Sequence, residues 1–195
     1  RTEKAEKFGE SQRDLAEALG KSMPAGGGLC VVLGIEDGHL AAQIAMRNGL
    51  KVIAFEDRQE TVDRVRRELQ DHGLYGEYVS IHKISHPSDL PLTGLVANLV
   101  ISERQMSDPE FSVSWKEAFR LLRPNGGAFI ARSGEAVRKQ LGEQHPVTES
   151  LLTVGDMELS IFVRDPLPGA GEWSHLYGKP DNSAFGGESL QGVRH

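Results

Sequence analysis

The run "LCVVL", Leu29 to Leu33, is apolar at every position and stops at Gly34. A strand with two apolar faces needs cover on both sides, which a parallel sheet between two helical layers supplies. Beyond the turn "GIEDG" the period changes: Leu40, Ala41, Ile44 and Ala45 recur at helical spacing, and Asn48-Gly49 is a helix stop. The chain then repeats the exchange. "KVIAFE" is a second strand that ends on an acid, and "DRQETVDRVRRELQDHG" is a helix with Val62, Val65 and Leu69 as its apolar stripe. Glu60 with Arg64 and Asp63 with Arg67 are spaced for i,i+4 pairing on it. "YVSIHKIS" and "LVANLVIS" are the third and fourth strands. In "SWKEAFRLLRPNGG", Ser114 and Glu117 have capping-box spacing, Trp115, Ala118, Phe119 and Leu122 share the core face, and Pro124 ends the helix. "AFIAR" is a fifth strand, "GEAVRKQLG" a helix, and "ESLLTVGDMELSIFVR" a hairpin turning at Gly155-Asp156.

Strand and helix in alternation imply right-handed crossovers. The expected fold is therefore α/β: a three-layer, doubly wound, Rossmann-like sheet, mostly parallel, closed by a C-terminal antiparallel hairpin. Residues 1–25 read as a covering helix ("SQRDLAEALGK", with Ser11 as cap) and linker, 26–164 as the α/β domain, and 165–195, rich in Gly, Pro and Ser, as a linker or tail. In such sheets ligands sit beyond the carboxyl ends of the strands, near the switch in strand order. That rim gathers Gly34 to Gly38, Glu56, Ser85-His86 and Ser102-Glu103.

Composition narrows the partners. With 195 residues, 38% of them hydrophobic, the chain has enough apolar mass for one substantial core. A formal charge of -6 argues against nucleic acid as partner, and no apolar run reaches membrane-spanning length. The "RVRR" cluster at Arg64 to Arg67 alternates with apolar residues and reads as a solvated helix face. The single cysteine, Cys30, lies inside an apolar run and reads as a buried structural thiol. The seven histidines have no metal-ligand spacing, so no metal site is expected. The chain starts at Arg1 rather than Met and is read as a piece of a longer protein.

From Leu29 to Arg164 the residues resemble class I S-adenosylmethionine-dependent methyltransferases. "VVLGIEDGHLA" is similar to that family's first glycine motif, "KVIAFE" to its second strand with the ribose-binding acid, and "EAFRLLRPNGGAFIA" to its helix, turn and fifth strand. The terminal hairpin also matches, whereas a nicotinamide-dependent oxidoreductase would carry G-x-G-x-x-G in the first turn. The resemblance implies S-adenosylmethionine as cofactor and a small-molecule or protein group as methyl acceptor. It implies that Gly34 and Gly38 let the backbone approach the ligand, and that the next helix offers N–H groups to the ligand's carboxylate. Glu56 would accept the ribose hydroxyls, with Asp57 either assisting or capping the following helix. Ser85 or His86 stands where the family binds the adenine amino group, and Asp89 lies three or four residues late. His86 also has the ordinary reading of a loop histidine. Ser102 and Glu103 follow the fourth strand, where substrate-facing residues stand; Glu103 is either a general base or a solvated loop acid. The Asn/Asp-Pro-Pro-aromatic motif of many amino-group methylating relatives is missing.

Two positions depart from the family pattern. Val32 replaces an acid that helps to hold the ligand's amino group, and Glu36 replaces a glycine. The Glu36 side chain either projects into the ligand's space or offers its carboxylate to the amino group and sulfonium. The alternative function is thus a non-catalytic module of the same fold, a binding or scaffold domain from which the cofactor has been lost. The tail "GAGEWSHLYGKPDNSAF" resembles the lead-in to quinoprotein-like β-propellers, which implies a propeller following this domain. A cytoplasmic location is expected if the domain is catalytic.

Overall fold

The computed structural model describes residues 3–22, 27–86, 88, 90–132, 134–141, 147–167 and 169. The strands are β1 (Gly28–Leu33), β2 (Leu50–Glu56), β3 (Val79–Lys83), β4 (Leu99–Ile101), β5 (Ala128–Ala131), β6 (Val147–Val154) and β7 (Met157–Arg164). They form one sheet in the order β3-β2-β1-β4-β5-β7-β6. The first five are parallel, and β7 runs antiparallel to both β5 and β6. The doubly wound sheet with a closing hairpin is the expected architecture, and the strand order reverses between β1 and β4. The helices are α1 (Glu3–Lys7), α2 (Arg13–Lys21), α3 (His39–Asn48), α4 (Gln59–Asp71), α5 (Glu103–Ser107), α6 (Trp115–Leu121) and α7 (Gly134–Leu141).

The alternation in "LCVVL" divides the core into two halves. Cys30 and Val32 face Val52, Ala54 and the apolar stripes of α2, α3 and α4, while Val31 and Leu33 face Phe55, Val100, Phe129 and the inner sides of α6 and α7. On the second face Phe129 stacks between Trp115, with centroids 5.4 Å apart, and Phe162, at 4.9 Å. Such aromatic pairs add about 0.5–1.5 kcal/mol each beyond the area they bury. Burial pushes the Cys30 thiol far above its ordinary pKa, as expected for a structural cysteine.

Local chemistry departs from expectation where a closer partner wins. Ser11 does not cap: a short 3-10 turn (Glu10–Gln12) intervenes and α2 begins without a side-chain cap. The Ser114-Glu117 capping box does not form, because Glu117 takes Arg120 (Nε to Oε2, 2.7 Å). The core face of α6 includes Leu121 in place of Phe119, which is partly buried under the Arg164 guanidinium at 4.2 Å. On α4, Arg64 pairs with Glu68 rather than Glu60, and Asp63 accepts from Gln59. The arginine cluster there is more than a solvated face: Arg64 donates to the Glu36 carbonyl at 2.7 Å and Arg66 to the Ile81 carbonyl at 2.6 Å. Helix α5 has too few residues to display a period, yet Ser102 and Gln105 have its capping spacing, and the Ser102 hydroxyl accepts from Gln105 N–H at 3.2 Å.

Candidate functional site

The turn from β1 into α3 requires two glycines. Gly34 and Gly38 have φ of 79° and 78°, where a β-carbon is strained. At Gly38 a β-carbon would also lie 2.7 Å from a Val65 methyl, and at Gly34 it would lie 2.9 Å from Phe111 Cε1 and 3.1 Å from Arg104 Cδ. Gly38 is the N-cap of α3 and has no side chain with which to satisfy the helix's first N–H groups. Glu103 supplies the acceptor from the far side of the turn. Its Oε2 accepts from Glu36 N–H and Gly38 N–H, both at 2.9 Å, and its Oε1 from Ala41 N–H at 2.7 Å. The carboxylate therefore lies against the positive end of α3, 4% exposed. Burial raises its pKa to about 7 against the pull of the N–H donors from Ala41, Glu36 and Gly38, and the nearby charge of Asp37 adds to the rise.

Glu56 ends β2 beside this turn. It is 1% exposed, so it is not a solvated strand-end acid. Its Oε1 accepts from Arg58 N–H at 2.9 Å and Arg58 Nε at 2.7 Å, and Arg104 Nη1 approaches to 3.5 Å. Arg104 also donates to Asp57 at 3.1 Å and lies over the Phe111 ring, its guanidinium carbon 3.9 Å from the centroid. Asp57 is thus an exposed partner of Arg104 and not a helix cap, since Arg58 holds the N-cap position of α4.

The other expected residues fall into place around this centre. Val32 is fully buried in the core. The Glu36 side chain is half-buried and reaches Arg58, Oε2 to Nη2 at 3.6 Å. Ser102 is fully buried and spent on capping α5, and both Glu103 oxygens are taken by backbone N–H groups. As placed, Ser102 has no accessible hydroxyl and Glu103 is neither a solvated loop acid nor a base open to a substrate. Ser85 and His86 are exposed beyond β3, with His86 Nδ1 2.6 Å from the Ser88 hydroxyl; it is Ile84 that lines the rim recess. Asp89 lies outside the described residues. Arg58, Arg104 and Phe111 were not read from the sequence, although an arginine two positions after a strand-end acid was a visible signal.

A narrow recess remains among Gly34, Phe55, Glu56, Ile84, Arg104 and Phe111. The cofactor implied by the fold is matched in kind by a strand-end carboxylate, two glycines and helix N–H donors. In this arrangement the chain's own Glu103 contacts the helix N–H donors, Arg58 and Arg104 contact Glu56, and Phe111 lies against Gly34.

Among the described residues, no three His, Cys, Asp or Glu side chains gather as a metal ion would need, and no helix is long and apolar enough to cross a membrane. No protein-family model matches the sequence, and no curated protein matches it. Solved structures do match in fold. A protein from Methanococcus maripaludis assigned as an S-adenosyl-L-methionine-dependent methyltransferase superposes with a TM-score of 0.67 at 16% identity, over 82% of this chain and 87% of that one. Geranyl diphosphate methyltransferase in complex with S-adenosylmethionine gives 0.58 at 14%, over 78% and 84%. The [4+2]-cyclase SpnF gives 0.58 at 14%, over 81% and 83%. The chain has the class I methyltransferase fold. The β-propeller resemblance gains no support from these structures, and residues 170–195, which carry most of it, lie outside the described residues.

Proposed function

We propose that this chain is an S-adenosylmethionine-dependent methyltransferase domain acting on a small-molecule or protein group. The observation that carries the reading is the side-by-side placement of the Gly34–Gly38 turn and the Glu56 carboxylate at the carboxyl rim, where the strand order reverses between β1 and β4. When bound, S-adenosylmethionine supplies the activated methyl group. This chain's part would be to orient it: Glu56 would accept ribose hydroxyls, the backbone at Gly34 would let the ligand approach, and the N-terminal donors of α3 would take its anionic end. At the rim, the solvent-accessible carboxylates of Glu36 and Asp57 are each paired with an arginine, Arg58 and Arg104, so neither is assigned as general base.

A second reading is favoured by the self-filled rim. Glu103 on the helix donors, Arg58 and Arg104 on Glu56, and Phe111 against Gly34 describe a non-catalytic module in which packing has taken over the cofactor's contacts. Calorimetric titration with S-adenosylhomocysteine and S-adenosylmethionine separates the two. Saturable binding that Glu56→Ala abolishes supports the enzyme, whereas no heat of binding at about 1 mM ligand, a limit near -4 kcal/mol, leaves the module.

A further inference from the structure

Two consecutive residues close the rim at two different points. Glu103 puts its carboxylate on the N–H groups of Glu36, Gly38 and Ala41, and Arg104 puts its guanidinium between Glu56 and Asp57. Both belong to the first turn of α5, a helix of five residues. Besides those contacts, that turn is held by the Ser102 cap on Gln105 N–H, by Arg104 N–H to the Gly34 carbonyl at 3.1 Å, and by Arg132, whose N–H donates to Gln105 Oε1 at 3.3 Å and whose Nη1 donates to the Met106 carbonyl at 2.8 Å. Phe111, just beyond the helix, covers Arg104 and completes the closure over Gly34.

We infer that α5 is an autoinhibitory latch, on which Glu103 and Arg104 act as intramolecular competitors for an adenosyl ligand. The inference rests on the cofactor reading proposed above. The chemistry of the two contacts is complementary. Glu103 presents a carboxylate to the same donors that would meet the ligand's carboxylate, and repels that group when ionised. Arg104 takes a share of the one buried carboxylate able to accept ribose hydroxyls. Because the residues are adjacent, a single displacement of α5 frees both points, and a ligand must displace it to bind. The occupied state is then the resting state, and ligand affinity is reduced by the fraction of molecules in which the latch is shut.

The test is a set of calorimetric titrations with S-adenosylhomocysteine into the wild-type chain, Arg104→Ala, Phe111→Ala and Glu56→Ala, with thermal melts to confirm folding. Arg104 and Phe111 are only partly buried, so their truncation is compatible with an intact fold. Glu103→Gln, which keeps the shape of the side chain, serves as a fourth variant. The expected result is binding at least tenfold tighter in Arg104→Ala and Phe111→Ala than in wild type, and none in Glu56→Ala. Wild-type binding that these variants leave unchanged or weaken overturns the latch while the cofactor reading stands. If no folded variant binds at millimolar ligand, the latch and the cofactor reading fall together and the rim is permanent packing.

Discussion

Glu103 decides most about this molecule at the scale of single residues. Its buried carboxylate satisfies three backbone donors, and hydrogen bonds to a charged group are worth about 1.5–3 kcal/mol each before coupling. Glu103→Leu leaves those donors unsatisfied at the start of α3, and is expected to lower the unfolding free energy by about 3 kcal/mol, read as an earlier urea midpoint. The pH dependence has a definite sign. A carboxyl whose folded pKa is raised from 4.5 to about 7 binds its proton more tightly when folded. Its contribution is thus fully present below about pH 4.5 and lost as pH rises to 7, a decline of roughly 3 kcal/mol from this group. Glu103→Gln removes that decline, which urea titrations across this range measure as a flatter profile; an unchanged slope refutes the assignment. Gly38 provides a second test. With φ of 78° and Val65 2.7 Å from a β-carbon, Gly38→Ala is expected to destabilise by about 2 kcal/mol or more, against about 1 for Gly155→Ala, whose φ of 57° is strained but whose β-carbon meets nothing.

The secondary-structure elements differ in how they are held. Helices α3 and α4 carry unbroken apolar stripes into the core, and their existence was legible from periodicity alone. The covering segment before β1 is tied differently: the buried Gln43 side chain on α3 donates to the Phe8 carbonyl at 2.7 Å, and Phe8 packs edge-on against His39 with centroids 4.7 Å apart. Removing residues 1–12 strands that amide beneath a newly exposed apolar surface. A thermal midpoint a few degrees lower is expected, at about 2–4 °C per kcal/mol for a domain of this size. Gln43→Leu in the truncated chain should restore part of the loss, since the stranded donor is then gone. Helix α5 escaped the sequence reading because five residues cannot show a 3.6-residue period, and its position depends on Gly34 and Arg132, just beyond β1 and β5.

Across the whole molecule, the central strands are the most deeply enclosed. β1, β4 and β5 are covered by helices on both faces, whereas β6 lies at the sheet edge with most of its residues exposed, Leu151 at 65%. Amide exchange under native conditions is therefore expected to be slowest at Cys30–Leu33, Val100–Ile101 and Phe129–Ile130, and fastest among strands in β6. Slow exchange throughout β6 would mean that its open edge is covered by another chain in solution. The strand order also explains why the site lies where it does, since the β1/β4 reversal opens the sheet between two diverging loops, and α5 closes that opening.

The sequence by itself determined the layered α/β fold, the closing hairpin, the two turn glycines and the place of Glu56 at the rim. Each of these is local: apolar period, turn chemistry and strand ends are written in neighbouring residues. The tertiary structure alone decided what those residues do with one another. Glu103 meets Gly38 across 65 positions, and Arg104 approaches Glu56 across 48. No periodicity records such a separation, because it depends on how β4 lies beside β1 and on which of several nearby groups a buried charge finds first. The doubt that the sequence placed on Val32 and Glu36 accordingly moves. Val32 is core and Glu36 reaches Arg58, while the side chains that fill the rim come from Arg58, from α5 and from Phe111 just after it.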